Sequence, residues 1–190
     1  MFMVELCPQD VVVVLKLLAS GPQKWTYVKL GKELSMSPSQ VFRSVDRAGT
    51  AHLLDASALP PPPSPITTRV HQALYSRPNR GNLKEFLVHG VKYAFPVQRG
   101  GLTRGLPTAD AAPPLSHQLA QNFLAKPVWP YAEGAVVGAE FSPLYKNVPM
   151  AAMRDGKLYE LLALVDAIRE GRVREREIAI RELTTRIDSL

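Results

Sequence analysis

"ELSMSPSQVFRSVDRA", residues 33–48, decides how the N-terminal part of this chain folds. Ser37 and Gln40 have the S-x-x-Q spacing of a capping box, in which each side chain satisfies the other's free backbone N–H. Pro38 falls in the first helical turn, where its missing N–H costs nothing. Val41, Val45 and Ala48 then recur at helical spacing as an inner face, and Gly49 reads as the stop. Upstream, "TYVKLGKELS", residues 26–35, predicts a second helix with Thr26 as N-cap and with Val28, Leu30 and Leu34 apolar, Tyr27 alongside. Before it, "PQDVVVVLKLLAS" opens at Pro8-Gln9-Asp10 and ends at Gly21-Pro22. Its valine run is β-prone, but its length and its leucine-rich second half favour a helix.

Residues 26–48 satisfy the plan of a helix-turn-helix. A small residue, Gly31, stands where the second helix must cross the first. Leu30 and Leu34 precede that crossing and the turn. Ser35 and Met36 supply a small turn residue and an apolar plug, and Val41 and Val45 are the buried pair one turn apart. The positions left to face outward are Ser39, Gln40, Arg43, Ser44 and Arg47. These side chains hydrogen-bond base edges or phosphates, with Arg suited to guanine and Gln to adenine. With the caps Thr26 and Ser37, they form the candidate DNA-binding set of this stretch; a helix N-terminus can itself hold a phosphate.

"YVKLGKELSMSPSQVFRSVDRA" resembles the tri-helical core of winged helix-turn-helix transcriptional regulators of the MarR/Lrp-like kind. The resemblance spans about residues 9–54, and reaches 72 if a following hairpin is the wing. It implies DNA binding through the helix at 38–48, usually by a dimer. The chain departs from that pattern at Ser35, where the family commonly has glycine, and at "AGTAHLL", where it has a Leu-Gly pair.

Downstream, "AHLL" and "ITTRVHQALY" are expected to pair as a hairpin around the proline-stiffened "DASALPPPPSP"; a polyproline linker or ligand is the alternative reading. Residues 69–104 carry seven Lys+Arg against one Glu. Arg69, Arg77 and Arg80 are the candidate additional phosphate contacts, against the alternative of a solvated basic face. A helix is expected near "NLKEFLVHG", then extended chain with turns at Arg99-Gly100-Gly101 and Gly105. "RGGLTRG" lacks the spacing of a phosphate loop. "SHQLAQNFLA" reads as one short helix in a proline-rich stretch otherwise without clear regular structure. Its aromatics Tyr93, Phe95, Trp129, Tyr131 and Phe141 leave ligand sensing open as a minor alternative to core packing.

The tail differs. Leu158, Leu161, Leu162, Val165 and Ile168 line one side of "DGKLYELLALVDAIREG". After Gly171, Val173, Ile180 and Ile187 recur every seven residues, with Leu183 between them and Arg176 breaking the seam. Alternating Glu/Arg pairs surround it, so two helices or one kinked helix are expected, with these nine apolar residues as the dimerisation set. The division is then 1–72 for a winged helix-turn-helix domain, 73–153 for an irregular middle and 154–190 for a helical assembly region. The fold class expected is mainly α with a small β-hairpin wing.

At 190 residues and 46% hydrophobic the chain buries a real core, and 17 prolines require long irregular connections. The net charge of +6 lies entirely before Arg154: residues 1–153 carry 15 Lys+Arg and 9 Asp+Glu, and 154–190 carry 8 of each. A basic body with a neutral tail suits a polyanion-binding part joined to an assembly part. A single cysteine, Cys7, excludes an internal disulfide and reads as a small buried hydrophobe. The start is no signal peptide and no run is long enough to span a membrane, so a cytoplasmic protein is expected. His52, His71, His89 and His117 share no metal-ligand spacing, and no catalytic motif appears. No metal, cofactor or enzymatic activity is expected. The leading expectation is a sequence-specific double-stranded DNA-binding regulator, a dimeric repressor. The alternative is a protein-interaction or antitoxin module that uses the C-terminal helices or the proline-rich middle and autoregulates its operon.

Overall fold

In a computed structural model, residues 5–55, 73–74, 77–119 and 125–190 are described. Mainly helical, the chain carries a small mixed sheet besides one short strand pair. Helix α1 (Pro8–Ala19) starts with Pro8 at its first position, and the Asp10 carboxylate accepts the Cys7 backbone N–H at 2.8 Å. Val11 to Leu15 are all 0–1% exposed, so α1 is buried on every side. That burial overrides the β preference of its valines, because a largely apolar helix is stable once other helices cover its circumference. Those covers are α3 (Pro38–Thr50) on one side and α7 (Gly156–Glu170) on another.

Helix α2 (Tyr27–Leu34) lies between α1 and α3 in sequence and packs on α3. Strand β1 (Trp25–Thr26) precedes it and pairs antiparallel with β2 (Ala73–Leu74), and Leu54 makes a single bridge to Pro78. The hairpin expected between "AHLL" and "ITTRVHQALY" is therefore corrected at its described end: residues 73–74 pair with 25–26. Ala51 and His52 instead close the end of α3, which runs one residue past Gly49. Residues 56–72, which hold the proline-rich tip, lie outside the described residues.

Helix α4 (Arg80–Glu85) continues through a π turn (Phe86–Gly90) into α5 (Val91–Ala94). The middle of the chain holds more regular structure than its prolines suggest. Strand β3 (Arg99–Pro107) pairs antiparallel with both β4 (Pro127–Pro130) and β5 (Val136–Phe141). The latter two pair in parallel, so three strands close on themselves. The turn expected at Arg99-Gly100-Gly101 is a register irregularity inside β3, and Gly105 pairs with both neighbours. Of "SHQLAQNFLA", residues 116–117 belong to a 3₁₀ turn (Leu115–His117) and 120–124 lie outside the described residues.

Helix α6 (Val148–Arg154) leads into the central α7, and α8 (Val173–Ser189) packs along α7 after Gly171, so of the two expected arrangements the chain forms two helices. The small barrel docks on α7 through buried Trp129 and Phe141. Trp129 Nε1 donates to Asp166 Oδ2 at 2.6 Å, Thr108 Oγ1 donates to the same oxygen at 2.8 Å, and Arg169 Nη1 donates to Asp166 Oδ1 at 2.6 Å. Burial pushes the Asp166 carboxyl up, against the pull of those three donors. The Tyr159 hydroxyl donates to the Pro107 carbonyl at 2.7 Å, and its burial raises its pKa to about 12. Side chains from 5–55, 77–119 and 125–190 share one hydrophobic cluster, so the expected boundaries at 72 and 153 do not divide the core.

Candidate nucleic-acid interface

The α2–turn–α3 unit is built by its own caps. Thr26 Oγ1 accepts the Lys29 N–H at 3.1 Å and starts α2. Ser35 ends it in the left-handed region at φ 53, and Met36 N–H returns to the Gly31 carbonyl at 2.8 Å. A Cβ on Gly31 would stand 2.6 Å from the Met36 carbonyl oxygen, so the turn closes only over glycine. Ser37 Oγ accepts the Gln40 N–H at 3.2 Å, and Gln40 Oε1 accepts the Ser37 N–H at 2.9 Å, which completes the capping box. Val41, Val45 and Ala48 are fully buried, and Phe42 meets Tyr27 edge-on at 5.4 Å.

Facing solvent on α3 are Ser39, Arg43, Asp46 and Thr50, with Ser37 exposed at its cap. Two expected outward residues are corrected. Ser44 is 0% exposed, because it lies three residues after Val41 and four before Ala48, in the middle of the inner stripe. Arg47 turns toward α1 and grips Asp10 with two bonds, Nε to Oδ2 at 2.8 Å and Nη2 to Oδ1 at 2.6 Å. The Asp10 side chain is 0% exposed. Its hydrogen bond raises the Arg47 pKa further, against the cost of burial. A carboxylate this deeply buried needs a cation, and Arg47 supplies it from another helix. Gln40 is half-buried and its Nε2 donates to the Tyr145 hydroxyl at 3.2 Å, so only Ser37, Ser39 and Arg43 of the α3 set remain open.

Sequence reasoning missed the segment that braces this unit. Asn147 Nδ2 donates to the Ser35 carbonyl. Arg154 Nη1 reaches the Lys32 carbonyl at 2.9 Å and Ser35 Oγ at 3.0 Å, and so places a cation at the negative end of α2. Below it, Lys16 is 4% exposed and bridges Asp155 at 2.8 Å and Glu33 at 3.3 Å. No local pattern marks Asn147 and Arg154, which lie more than a hundred residues from α2. Lys146, beside Tyr145, is exposed.

The basic stretch is partly neutralised. Lys84 pairs with Asp188 at 2.7 Å and Arg99 with Glu170 at 2.7 Å. Arg80 donates to the Asp188 carbonyl at 3.2 Å, and Arg77 is exposed. Arg69 lies outside the described residues. The dimerisation set is also corrected. Leu158, Leu161, Leu162, Val165, Ile168, Leu183 and Ile187 are each 0–1% exposed within the chain's own core. Only Val173, at 63%, is open, and Ile180 is half-buried. The apolar tail found its cover at home, on α1, α6 and the barrel.

Among the described residues, no three His, Cys, Asp or Glu side chains group as a metal site. Among them, too, no helix is long and apolar enough to cross a membrane. No protein-family model matches the chain, and neither a curated protein nor a solved structure does.

Proposed function

We propose that this protein is a sequence-specific double-stranded DNA-binding regulator of transcription, a repressor by occupancy, that reads a major groove with the first half of α3. The observation that carries this reading is the division of α3 into a locked face and an open one. Val41, Ser44, Val45 and Ala48 are buried and Arg47 is held by Asp10, while Ser37, Ser39 and Arg43 face solvent at the helix start. Recognition helices touch base edges with their N-terminal residues. Arg43 has no carboxylate partner among the described residues and suits guanine O6 and N7. Asp46, exposed one turn further, repels phosphate and confines contact to that first half. The β1–β2 pair beside α2 accords with a winged arrangement. Since α7 and the inner side of α8 are used inside the chain, pairing of two protomers on DNA would take another surface.

Selection of bound sites from a random duplex pool tests the reading. It expects an enriched motif containing a guanine that Arg43→Lys or Arg43→Ala relaxes. A pool that stays random after repeated rounds would contradict it.

The rival reading, a protein-interaction module, has its own observation. Leu102 and Val137 are 74% and 60% exposed and stand diagonally on one face of β3 and β5, where Leu102 pairs with Ala139 and Arg104 with Val137. Leu102→Asp would abolish partner capture and leave DNA selection intact.

A further inference from the structure

A cavity of about 670 Å³ opens between the end of α1, the link to β1 and the start of α4. That size lies within the range of sites for small organic ligands. Its apolar wall is Leu17, Leu18 and Trp25. Gly21 shapes the rim at φ +63, a left-handed backbone that a side chain would strain. Three cations, Lys24, Arg77 and Arg80, line it against one described carboxylate, Asp55. Asp55 accepts from Asn79 Nδ2 at 3.4 Å, and among the described residues the Arg80 guanidinium donates only to the Asp188 carbonyl. Neither Lys24 nor Arg77 has an ion-pair partner among the described residues.

A second observation points the same way. Trp25 is 3% exposed, and its indole Nε1 is a buried donor without a hydrogen-bond partner among the described residues. Buried donors are satisfied in nearly all folded proteins, and this one, on a residue that lines the cavity, has no acceptor among the described residues. The lining therefore carries three cationic side chains against the single carboxylate of Asp55. The Trp25 ring already carries the ammonium groups of Lys29 at 4.8 Å and Lys16 at 5.6 Å, so a ligand meets its edge and not a free face.

We propose that this cavity binds a small organic anion with a flat apolar body, its carboxylate or phosphate held by Arg77 and Lys24 and its body laid along Leu17, Leu18 and the edge of Trp25. Cations beside an aromatic wall select that combination: the body replaces water on apolar surface, and the head group forms charge-assisted bonds. The inference is independent of the DNA reading, because the cavity includes no residue of the α3 face.

Calorimetric titration of the full chain tests it, with indole-3-acetate as the aromatic carboxylate and adenosine monophosphate as the phosphate. Indole-3-acetamide and adenosine are their neutral counterparts. Saturable binding of one anion, tighter than about 1 mM, is expected, with its neutral counterpart weaker by at least about tenfold. Whichever anion saturates identifies the head group. Arg77→Gln and Lys24→Gln, both at exposed positions and so neutral to folding, should each weaken it about tenfold. In the ¹H–¹⁵N spectrum the Trp25 indole N–H should shift on saturation while that of Trp129, already bound to Asp166, stays in place. No binding by either anion, equal binding of charged and neutral probes, or unchanged affinity in both variants would overturn the proposal.

Discussion

Replacing Arg47 by alanine separates a structural arginine from a DNA-reading one. The Asp10 carboxylate is fully buried and holds three hydrogen bonds: two from the Arg47 guanidinium, at 2.8 and 2.6 Å, and one from the Cys7 N–H at 2.8 Å. Arg47→Ala removes two of the three and the only countercharge that pairs with it among the described residues. Breaking a buried pair from one side costs about 3–5 kcal/mol. The Arg47 side chain is 18% exposed, so water reaches part of the gap and the lower end, about 3 kcal/mol, is expected. That is a large share of an ordinary total stability of about 5–15 kcal/mol. Urea unfolding at pH 7 reads it directly. Arg43→Ala, at an exposed site, should stay within about 0.5 kcal/mol of wild type. The double variant Asp10→Asn with Arg47→Met should recover much of the loss, because the stranded charge is gone. A loss below about 1 kcal/mol in Arg47→Ala would refute the reasoning and return Arg47 to the outward face of α3.

Three further outcomes follow from the same packing. Gly31→Ala drives a methyl against the Met36 carbonyl, 2.6 Å from the new carbon, and should cost about 1–3 kcal/mol in thermal or urea unfolding. For Asp155, burial alone would raise the pKa, but the Lys16 ammonium and the Leu158 and Lys157 N–H groups outweigh it and hold the carboxyl below its ordinary 3.8. The stability this contributes is fully present above pH 3.8 and is lost as pH falls through the lower, folded-state value. The gap between wild type and Asp155→Asn in urea titrations should therefore be widest near neutrality and close in acid; a gap independent of pH would contradict it. Leu162→Ala should cost about 2–5 kcal/mol as a core cavity, with no change in sedimentation, whereas a residue at a seam between chains would shift the oligomeric state first.

The caps were legible in the sequence because capping is local. Thr26, Ser37, Pro38 and Gln40 fix where α2 and α3 begin through partners three residues away, and each stands where the spacing put it. The break at Gly171 was legible for the same reason, as a phase shift in one apolar stripe. The direction in which a stripe faces was not. Leu161, Leu162 and Ile187 read equally well as a seam between chains, since periodicity records that a face is buried and not against what. Ser44 was misplaced by its polarity, although its position between Val41 and Ala48 fixed it inside. Arg47 was misplaced because its partner lies on another helix, 37 residues away. Strand β5 stayed hidden because Gly138 interrupts its pattern; a side chain there would strike the Lys126 carbonyl. The brace from Asn147 and Arg154 rests wholly on tertiary contact, which no local pattern encodes.

The central claim, that the open start of α3 reads DNA, is tested most directly by the specificity ratio of wild type and Arg43→Ala. Fluorescence anisotropy at one stated salt concentration would compare the best selected duplex with a scrambled duplex of equal length. Wild type should prefer the selected duplex by at least about 10³-fold. Arg43→Ala should cut that ratio by about 1–3 kcal/mol, roughly ten- to a hundredfold, with an unchanged melting temperature. Equal binding of both duplexes by wild type, or a ratio untouched by Arg43→Ala, would contradict the account.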